Sequence, residues 1–209
     1  MPRLILISIT LGLTILALAC SAQKADHFKA GDVLFQDLDS PQSQAVKLAT
    51  GSEFTHCGIV LGREGELVVY EAVQPVRVIP LEQWINQGVN ARVVSRRPQS
   101  IELTSERLEK MLEVAESHLG KNYDLYFGWS DDHMYCSEYV WKIYQGAIGV
   151  ELAEPRQLSD YDLTHPAVQE KMAERYGDDI PLDEPVVAPS DLYQSAILET
   201  VYDSNSKTE

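Results

Sequence analysis

Cys136 is the residue of this 209-residue chain whose type and position are best suited to covalent chemistry. It lies in the segment DDHMYCSEYVWKIY, in the first turn of a predicted helix. A helix N-terminus lowers the pKa of a thiol, and its free N–H groups can hold a developing oxyanion. Two observations oppose this role. Free cysteines are most often buried packing residues, and the nearby Asp131 and Asp132 disfavour a thiolate.

His56 and Glu71 are a candidate base and its orienting carboxylate. They lie in two strand-like runs, THCGIVLG and ELVVYEAV, which we predict to form a hairpin between Gly62 and Gly65. A loop of two or four residues places His56 directly opposite Glu71, with Cβ atoms about 5 Å apart on one face. The carboxylate would then fix the imidazole tautomer and leave the other ring nitrogen free to take a proton. A purely structural His–Glu hydrogen bond is the alternative.

Cys57 is adjacent to His56 in the chain and is the rival nucleophile. Because neighbouring residues on a strand point to opposite faces, adjacency argues against contact between these two side chains. We therefore predict that Cys57 packs in the core. A disulfide between Cys57 and Cys136 is the alternative for an exported protein, although two cysteines are too few for a disulfide scaffold.

Charge and composition exclude several classes of function. The net charge of −15 argues against a nucleic-acid partner, because phosphate binding requires clustered lysine and arginine. The sequence has no Gly-rich phosphate loop, no HExxH motif and no paired CxxC motifs, so we predict no cofactor and no zinc site. The remaining histidines also lack the paired context of a metal site. They are His27, His118, His133 and His165.

Residues 1–19 are typical of an export signal. One arginine precedes an apolar run from Leu4 to Ala19, and small residues follow. A spanning helix is the alternative, but spanning requires ~20 apolar residues. Cleavage fits after Ala19 or after Ala22. Alternatively, Cys20 is the lipidated first residue of a lipoprotein, although the preceding residues match a lipobox imperfectly. We expect a protein of the periplasm or cell envelope, with a membrane tether only through Cys20.

The elements that must position the candidate residues indicate one α+β domain over residues 24–209. Short strand-like runs cluster in the first half of the chain. The clearest helix lies at 104–120, where apolar residues recur at 3.6-residue spacing, and capping residues bound another at 40–51. The acidic segment 150–185 contains one more predicted helix, near 167–176, and its position suggests a lid over the cleft.

These segments together resemble the YiiX-type proteins of the permuted NlpC/P60 superfamily, which are circularly permuted papain-like amidases and peptidases. The order histidine, glutamate, then cysteine reverses that of papain-like enzymes and matches the permuted arrangement. The resemblance covers about residues 31–193 in one consistent order. It is carried by GDVLFQ, SQAVKLATGSEFTHCGIV, VYEAVQPVRVIPLEQWI, LGKNYDLYFGWSDDHMYCSEYVWKIY and RYGDDIPLDEPVVAPSDLY.

The resemblance implies a permuted papain-like fold, in which a small antiparallel sheet packs against the helix that bears the nucleophile. It also implies Cys136 as nucleophile, His56 as general base and Glu71 as orienting residue. Tyr123, in GKNYD, matches the tyrosine beside the cysteine in this superfamily, which implies that it lines the site or assists at the oxyanion. The family often has threonine or another residue where this chain has Cys57.

The implied reaction is hydrolysis of an amide in the cell envelope through an acyl-enzyme. The superfamily contains cell-wall endopeptidases and enzymes that act on lipid-linked acyl groups. Because an acidic surface does not favour adsorption to anionic polymers or lipids, we expect a small amide or peptide substrate. Two alternatives stay open: a lipid- or ester-directed acyltransferase or thioesterase with the same triad, and a non-catalytic envelope binding protein.

Overall fold

The computed structural model describes residues 27–206. The predicted export signal at 1–19 and the candidate lipidation site Cys20 lie outside the described residues. So do the two ends of the predicted domain, at 24–26 and 207–209. Among the described residues, no helix has both the length and the apolar character needed to cross a membrane.

Ten strands are described, and six of them form one antiparallel sheet. The strands are β1 (Val33–Gln36), β2 (His56–Arg63), β3 (Glu66–Glu71), β4 (Arg77–Pro80), β5 (Val94–Pro98), β6 (Asn122–Tyr123), β7 (His133–Met134), β8 (Arg156–Gln157), β9 (Pro185–Val186) and β10 (Leu198–Asp203). The order in the large sheet is β10-β5-β1-β2-β3-β4. The short strands pair separately, β6 with β7 and β8 with β9.

Six α-helices accompany the strands in the described part of the chain. They are α1 (Pro41–Thr50), α2 (Leu81–Gln87), α3 (Ser105–Ser117), α4 (Cys136–Ile148), α5 (Pro166–Tyr176) and α6 (Pro189–Tyr193). Helices α3 and α4 pack against each other and against β2, whereas α5 packs against α1. The antiparallel sheet, with α4 and the other helices packed against it, confirms the predicted α+β class.

Local sequence signals account for where α1 begins and ends. The Ser40 side chain accepts a hydrogen bond from the Ser43 N–H at 3.0 Å, and Pro41 occupies the first helical position. Gly51 ends the helix in the left-handed conformation, with φ 65°. These caps are the predicted ones, and they matter for function because α1 forms one wall of the cleft described below.

Both faces of the large sheet are buried at its central strand β2, and the alternation of side chains along this strand assigns residues to them. Cys57 and Ile59 belong to the core that includes buried residues of α3 and α4. Val60 belongs to a second core with Trp84 and Ile85 of α2. The side chains of β2 therefore point either to the face that contains Cys57 or to the face against which Trp84 packs.

The hairpin between β2 and β3 has a two-residue turn, which is one of the two predicted lengths, but the turn lies one residue further along the chain than predicted. Arg63 pairs directly with Glu66, so the turn consists of Glu64 and Gly65. Both turn residues have positive φ, at 54° and 86°, as in the two-residue turns whose twist suits a hairpin. Gly62 is therefore a strand residue and not the border of the loop.

This turn makes the predicted register of His56 and Glu71 wrong by two residues. Ile59, and not Cys57, lies opposite Tyr70. Because side chains alternate with a period of two, a shift of two residues leaves each of them on its predicted face. His56 and Glu71 are consequently diagonal neighbours on one face, within reach of each other, instead of direct cross-strand partners.

Candidate active site

Cys136 is the first residue of α4, as the sequence predicted. The first turn is held by Glu138, which accepts a hydrogen bond from the Tyr135 N–H at 3.3 Å, and by Ser137, whose hydroxyl donates to the Val187 carbonyl at 2.6 Å. These contacts fix the helix start on which the thiol is mounted. The thiol therefore lies at the positive end of the helix dipole.

The aspartates that opposed a thiolate do not cap this helix. The cap position is Tyr135, and Asp131 forms an ion pair with Lys142 at 2.8 Å. Asp132 is exposed. Because Lys142 offsets the charge of Asp131 and water screens that of Asp132, the two carboxylates have little influence on the thiol.

His56 and Glu71 meet in a buried hydrogen bond. The distance between His56 Nε2 and Glu71 Oε2 is 2.7 Å, and the two residues are 4% and 1% exposed. The bond occupies Nε2 and leaves Nδ1 as the nitrogen available for proton transfer. The imidazole also packs on the indole of Trp84, with ring centroids 5.9 Å apart and planes 26° apart.

Arg77 is a functional neighbour that sequence reasoning did not identify. It lies directly opposite Glu71 in the β3–β4 pair, and its Nε donates to Glu71 Oε1 at 2.8 Å. The carboxylate therefore has one oxygen on Arg77 and the other on His56. The register of the PVRVIPL strand against VVYE is the signal that identifies this pair.

The electrostatics favour an ion pair between Cys136 and His56. Burial disfavours the imidazolium, but hydrogen bonds and charge interactions with Cys136 and Glu71 outweigh it and raise the pKa of His56 to about 9. The pKa of Cys136 is held well below its usual value, first by a hydrogen bond from the Cys57 side chain and then, against burial, by His56. A thiolate beside an imidazolium is a nucleophile beside a proton donor.

Cys57 is fully buried in the core, as predicted, and both cysteines are free thiols and not a disulfide. In place of the alternative disulfide, a hydrogen bond joins the Cys57 side chain to Cys136. Burial raises the pKa of Cys57 well above the usual value, and the neighbouring Cys136 raises it further. Cys57 therefore stays protonated and acts as a hydrogen-bond donor to the thiolate.

Tyr123 lies close to Cys136 because its strand pairs with β7, the strand that leads into α4. Tyr123 pairs with Met134 in the parallel β6–β7 ladder, and the Asp124 N–H donates to the Met134 carbonyl at 3.0 Å. The Tyr123 N–H is bound by the Gln74 side chain at 2.7 Å. Its ring lines the same cavity as Cys136. Burial, followed by the charge on Cys136, raises the pKa of the phenol well above its usual value.

The cavity at Cys136 has mainly apolar walls and an empty volume of about 730 Å³, including its open mouth. Helices α1 and α5 form facing walls, so the region suggested as a lid supplies a wall of the cleft. The apolar lining comprises Ala45, Val46, Ala49, Phe127, Leu158, Leu163, Val168, Met172, Val186 and Ala188. This lining extends an apolar surface directly from the thiol.

The family model for permuted papain-like amidases of the YaeF/YiiX type, the C92 family, matches residues 27–202. The chain belongs to this family. Membership makes the protein a permuted papain-like cysteine hydrolase of the amidase class, as the sequence predicted.

Two relatives illustrate how much of the amidase the similarity covers. This chain is 44% identical over 173 residues to the uncharacterized protein YiiX of Escherichia coli K12. The alignment covers 83% of this chain and 85% of that protein. A crystal structure of YiiX from Escherichia coli O157:H7, described as a metalloprotein, matches with a TM-score of 0.81 and 44% identity. That match covers 84% of this chain and 97% of that one.

The site residues of this amidase do not fit a bound metal ion. Both carboxylate oxygens of Glu71 are already taken, one by His56 and one by Arg77. Among residues 27–206, no group of three or more histidine, cysteine, aspartate or glutamate side chains is arranged to hold a metal. His118 was predicted on a helix surface but is buried, and its Nδ1 lies within hydrogen-bond distance of Lys121 Nζ at 2.9 Å.

Proposed function

We propose that the amidase hydrolyses an amide through an acyl-enzyme on Cys136, with His56 as acid and base and Glu71 as the residue that orients it. The observation that carries the proposal is the buried His56–Glu71 hydrogen bond of 2.7 Å beside a thiol at a helix N-terminus. A nucleophile, a base and an orienter in this arrangement are the components of nucleophilic acyl transfer.

Each proton in the reaction has an assigned carrier. The Cys136 thiolate attacks the carbonyl carbon, and N–H groups at the start of α4, together with the Tyr123 hydroxyl, hold the oxyanion. As the C–N bond breaks, the His56 imidazolium donates its proton to the leaving amine. Neutral His56 then takes a proton from water, which attacks the thioester and releases the acid, and the thiolate–imidazolium pair returns.

The cavity lining favours an apolar acyl group in the substrate. Apolar walls stabilise an apolar chain by about 0.8 kcal/mol for each buried CH₂. A small, polar peptide gains little from such walls. We therefore also propose the second candidate activity, in which the same triad takes a lipid-linked or ester-linked acyl group, with water or another acceptor completing the reaction.

We propose that the amidase acts outside the cytoplasm, in the periplasm or cell envelope. The apolar run of residues 1–19 supports export, and Cys20 is the candidate anchor to a membrane. The substrates that we propose for the amidase in that compartment are amide, peptide or lipid-linked acyl compounds. Nucleic acid is disfavoured as a partner by the net charge of −15.

The test is acyl-enzyme trapping with the purified amidase. Short-chain and long-chain p-nitrophenyl esters, and the matching acyl-aminocoumarin amides, should release their chromophores and leave an acyl group on Cys136 that intact-mass and peptide analysis detects. Cys136→Ala and His56→Ala should lack both signals. Full activity in purified Cys136→Ala would contradict the proposed mechanism.

Acceptors and labelling separate the remaining alternatives. Acyl transfer to added alcohols or amines in preference to water would identify an acyltransferase. A non-catalytic binding protein would have an inert Cys136 that reacts with iodoacetamide only after unfolding. Rapid alkylation of the native protein at neutral pH is the result we expect.

A further inference from the structure

A chain of side-chain hydrogen bonds crosses the cleft and ends on Tyr123. Arg175 Nη2, on α5, donates to Gln42 Oε1, on α1, at 2.9 Å. Gln42 Nε2 then donates to the Tyr123 hydroxyl oxygen at 2.9 Å. Gln42, Tyr123 and Arg175 all line the cavity that contains Cys136. The mechanism proposed above does not use Gln42 or Arg175.

The direction of these bonds follows from the chemistry of the groups. A guanidinium has donors only, so the atom of Gln42 that faces Arg175 must be the amide oxygen. The amide nitrogen must then face Tyr123, and because it carries only hydrogens, it must donate. Arg175 is itself held over the Phe127 ring, with 4.9 Å from the guanidinium carbon to the centroid. The two hydrogen bonds therefore run in one direction, from Arg175 through Gln42 to Tyr123.

This direction determines where the tyrosine proton can go. A phenol has one O–H donor, and its oxygen here already accepts a hydrogen bond from Gln42. The O–H must therefore donate away from Gln42. We propose that Gln42 and Arg175 are positioning residues that direct the Tyr123 hydroxyl proton towards the oxyanion formed at Cys136. This inference rests on the proposed function, because it presupposes acyl transfer at that thiol.

The inference also gives α5 a role in the reaction. Arg175 lies 133 residues from Gln42 in the chain, and Gln42 lies 81 from Tyr123. The packing of α5 on α1 brings Arg175 to Gln42, and Gln42 in turn contacts Tyr123 on β6. A displacement of α5 would therefore separate Arg175 from the amide of Gln42 and release the orientation of the Tyr123 hydroxyl.

Gln42→Glu is the most direct test, because it keeps the shape and reverses the hydrogen bond. A carboxylate pairs with Arg175 but has no proton to donate, so the Tyr123 O–H must point to it and away from the cleft. We expect single-turnover acylation by p-nitrophenyl butyrate to fall about 100-fold, the typical cost of one oxyanion donor. Tyr123→Phe should fall equally, and the double variant no further.

Alkylation by iodoacetamide separates this effect from damage to the nucleophile. That reaction forms no oxyanion, so its maximal rate at the pH plateau should be the same in wild type and Gln42→Glu. Gln44→Glu is the matched control, because Gln44 lies on the exposed side of the same helix and outside the cavity lining. It should match wild type in both reactions.

A third substitution distinguishes direction from mere contact. Gln42→Met removes both hydrogen bonds and leaves the Tyr123 hydroxyl free to rotate, so it should lose less acylation activity than Gln42→Glu. Equal acylation in Gln42→Glu and wild type, or an equal loss of acylation and alkylation, would overturn the positioning role. A wild-type protein that forms no acyl adduct on Cys136 would instead contradict the proposed function. Thermal melting verifies that each variant is folded.

Discussion

Cys57 and Cys136 are neighbours, and both are free and at most 4% exposed, but their thiols differ in acidity. Cys57 is the second residue of β2 in an apolar core, where burial raises its pKa well above the usual value. Cys136 begins α4, where interactions with Cys57 and His56 outweigh the same burial and hold its pKa well below that value. Burial alone therefore does not decide whether a cysteine is inert.

The difference arises from which partners each thiol has. Cys136 has an imidazolium, a thiol donor and the start of a helix, all of which stabilise negative charge. Ionisation of Cys57 would place a second negative charge beside the Cys136 thiolate, which raises the pKa of Cys57 further. The proposed function therefore makes Cys136 the nucleophile and Cys57 its hydrogen-bond donor, and the two cannot exchange roles without moving His56.

His56→Ala should have the largest effect, because it removes the partner that distinguishes the two cysteines. We expect kcat/KM for an acyl ester to fall by roughly 10⁴-fold or more, as when the base of a catalytic triad is lost. Steady-state hydrolysis measures this, with circular dichroism as the test of folding. A variant that retains more than a tenth of wild-type activity would contradict the role of base.

Selective alkylation should show the difference between the cysteines directly. An ordinary thiol is only a few per cent thiolate at neutral pH, and the pKa of Cys57 is raised further, so Cys136 should react with iodoacetamide roughly 100-fold faster than Cys57. Peptide mapping after timed quenching measures the two rates. The same experiment in denaturant is the control and should give equal rates. Preferential labelling of native Cys57 would reverse our assignment.

Glu71→Gln should move the alkaline limit of activity to lower pH. In the proposed reaction, the imidazolium of His56, with a pKa of about 9, donates the proton to the leaving group, so acylation should fall as the pH rises through that value. Loss of the Glu71 charge lowers the pKa of His56. We expect the protonated fraction of His56 at alkaline pH to fall about 10-fold, which corresponds to about 1.4 kcal/mol. A pH–rate profile of the wild type and of Glu71→Gln measures the pH at which activity falls on the alkaline side. If that pH is the same in the two proteins, Glu71 is not an electrostatic partner of His56.

Substitution of Cys57 should have the smallest effect and would sharpen the comparison. Cys57→Ala removes the donor to Cys136, so the thiol pKa of Cys136 should rise and alkylation below neutral pH should slow about tenfold for each unit. Cys57→Ser keeps a donor and should slow it less. Hydrolysis at the pH plateau should change little in either variant. An identical alkylation profile in wild type and Cys57→Ala would show that Cys57 only packs.

Local parts of this architecture were predictable from the sequence. The start of α4 at Cys136 and the caps of α1 at Ser40 and Gly51 depend on residues within a few positions of each other. The register of the hairpin was predicted wrongly, because glycines at 62 and 65 left the position of the turn open. The prediction that His56 and Glu71 share a face survived, since an even shift preserves the faces of a strand.

The sequence by itself determined the identity and order of the reactive groups, the helix start beneath Cys136 and the permuted papain-like family. Only the tertiary structure decided the partners of those groups. Hydrogen bonds between separate elements join Arg77 to Glu71, Cys57 to Cys136, and Arg175 through Gln42 to Tyr123. Hydrogen bonds and pKa values depend on distances of a few ångströms between such elements. Those distances are set by the packing of the whole domain and not by spacing along the chain.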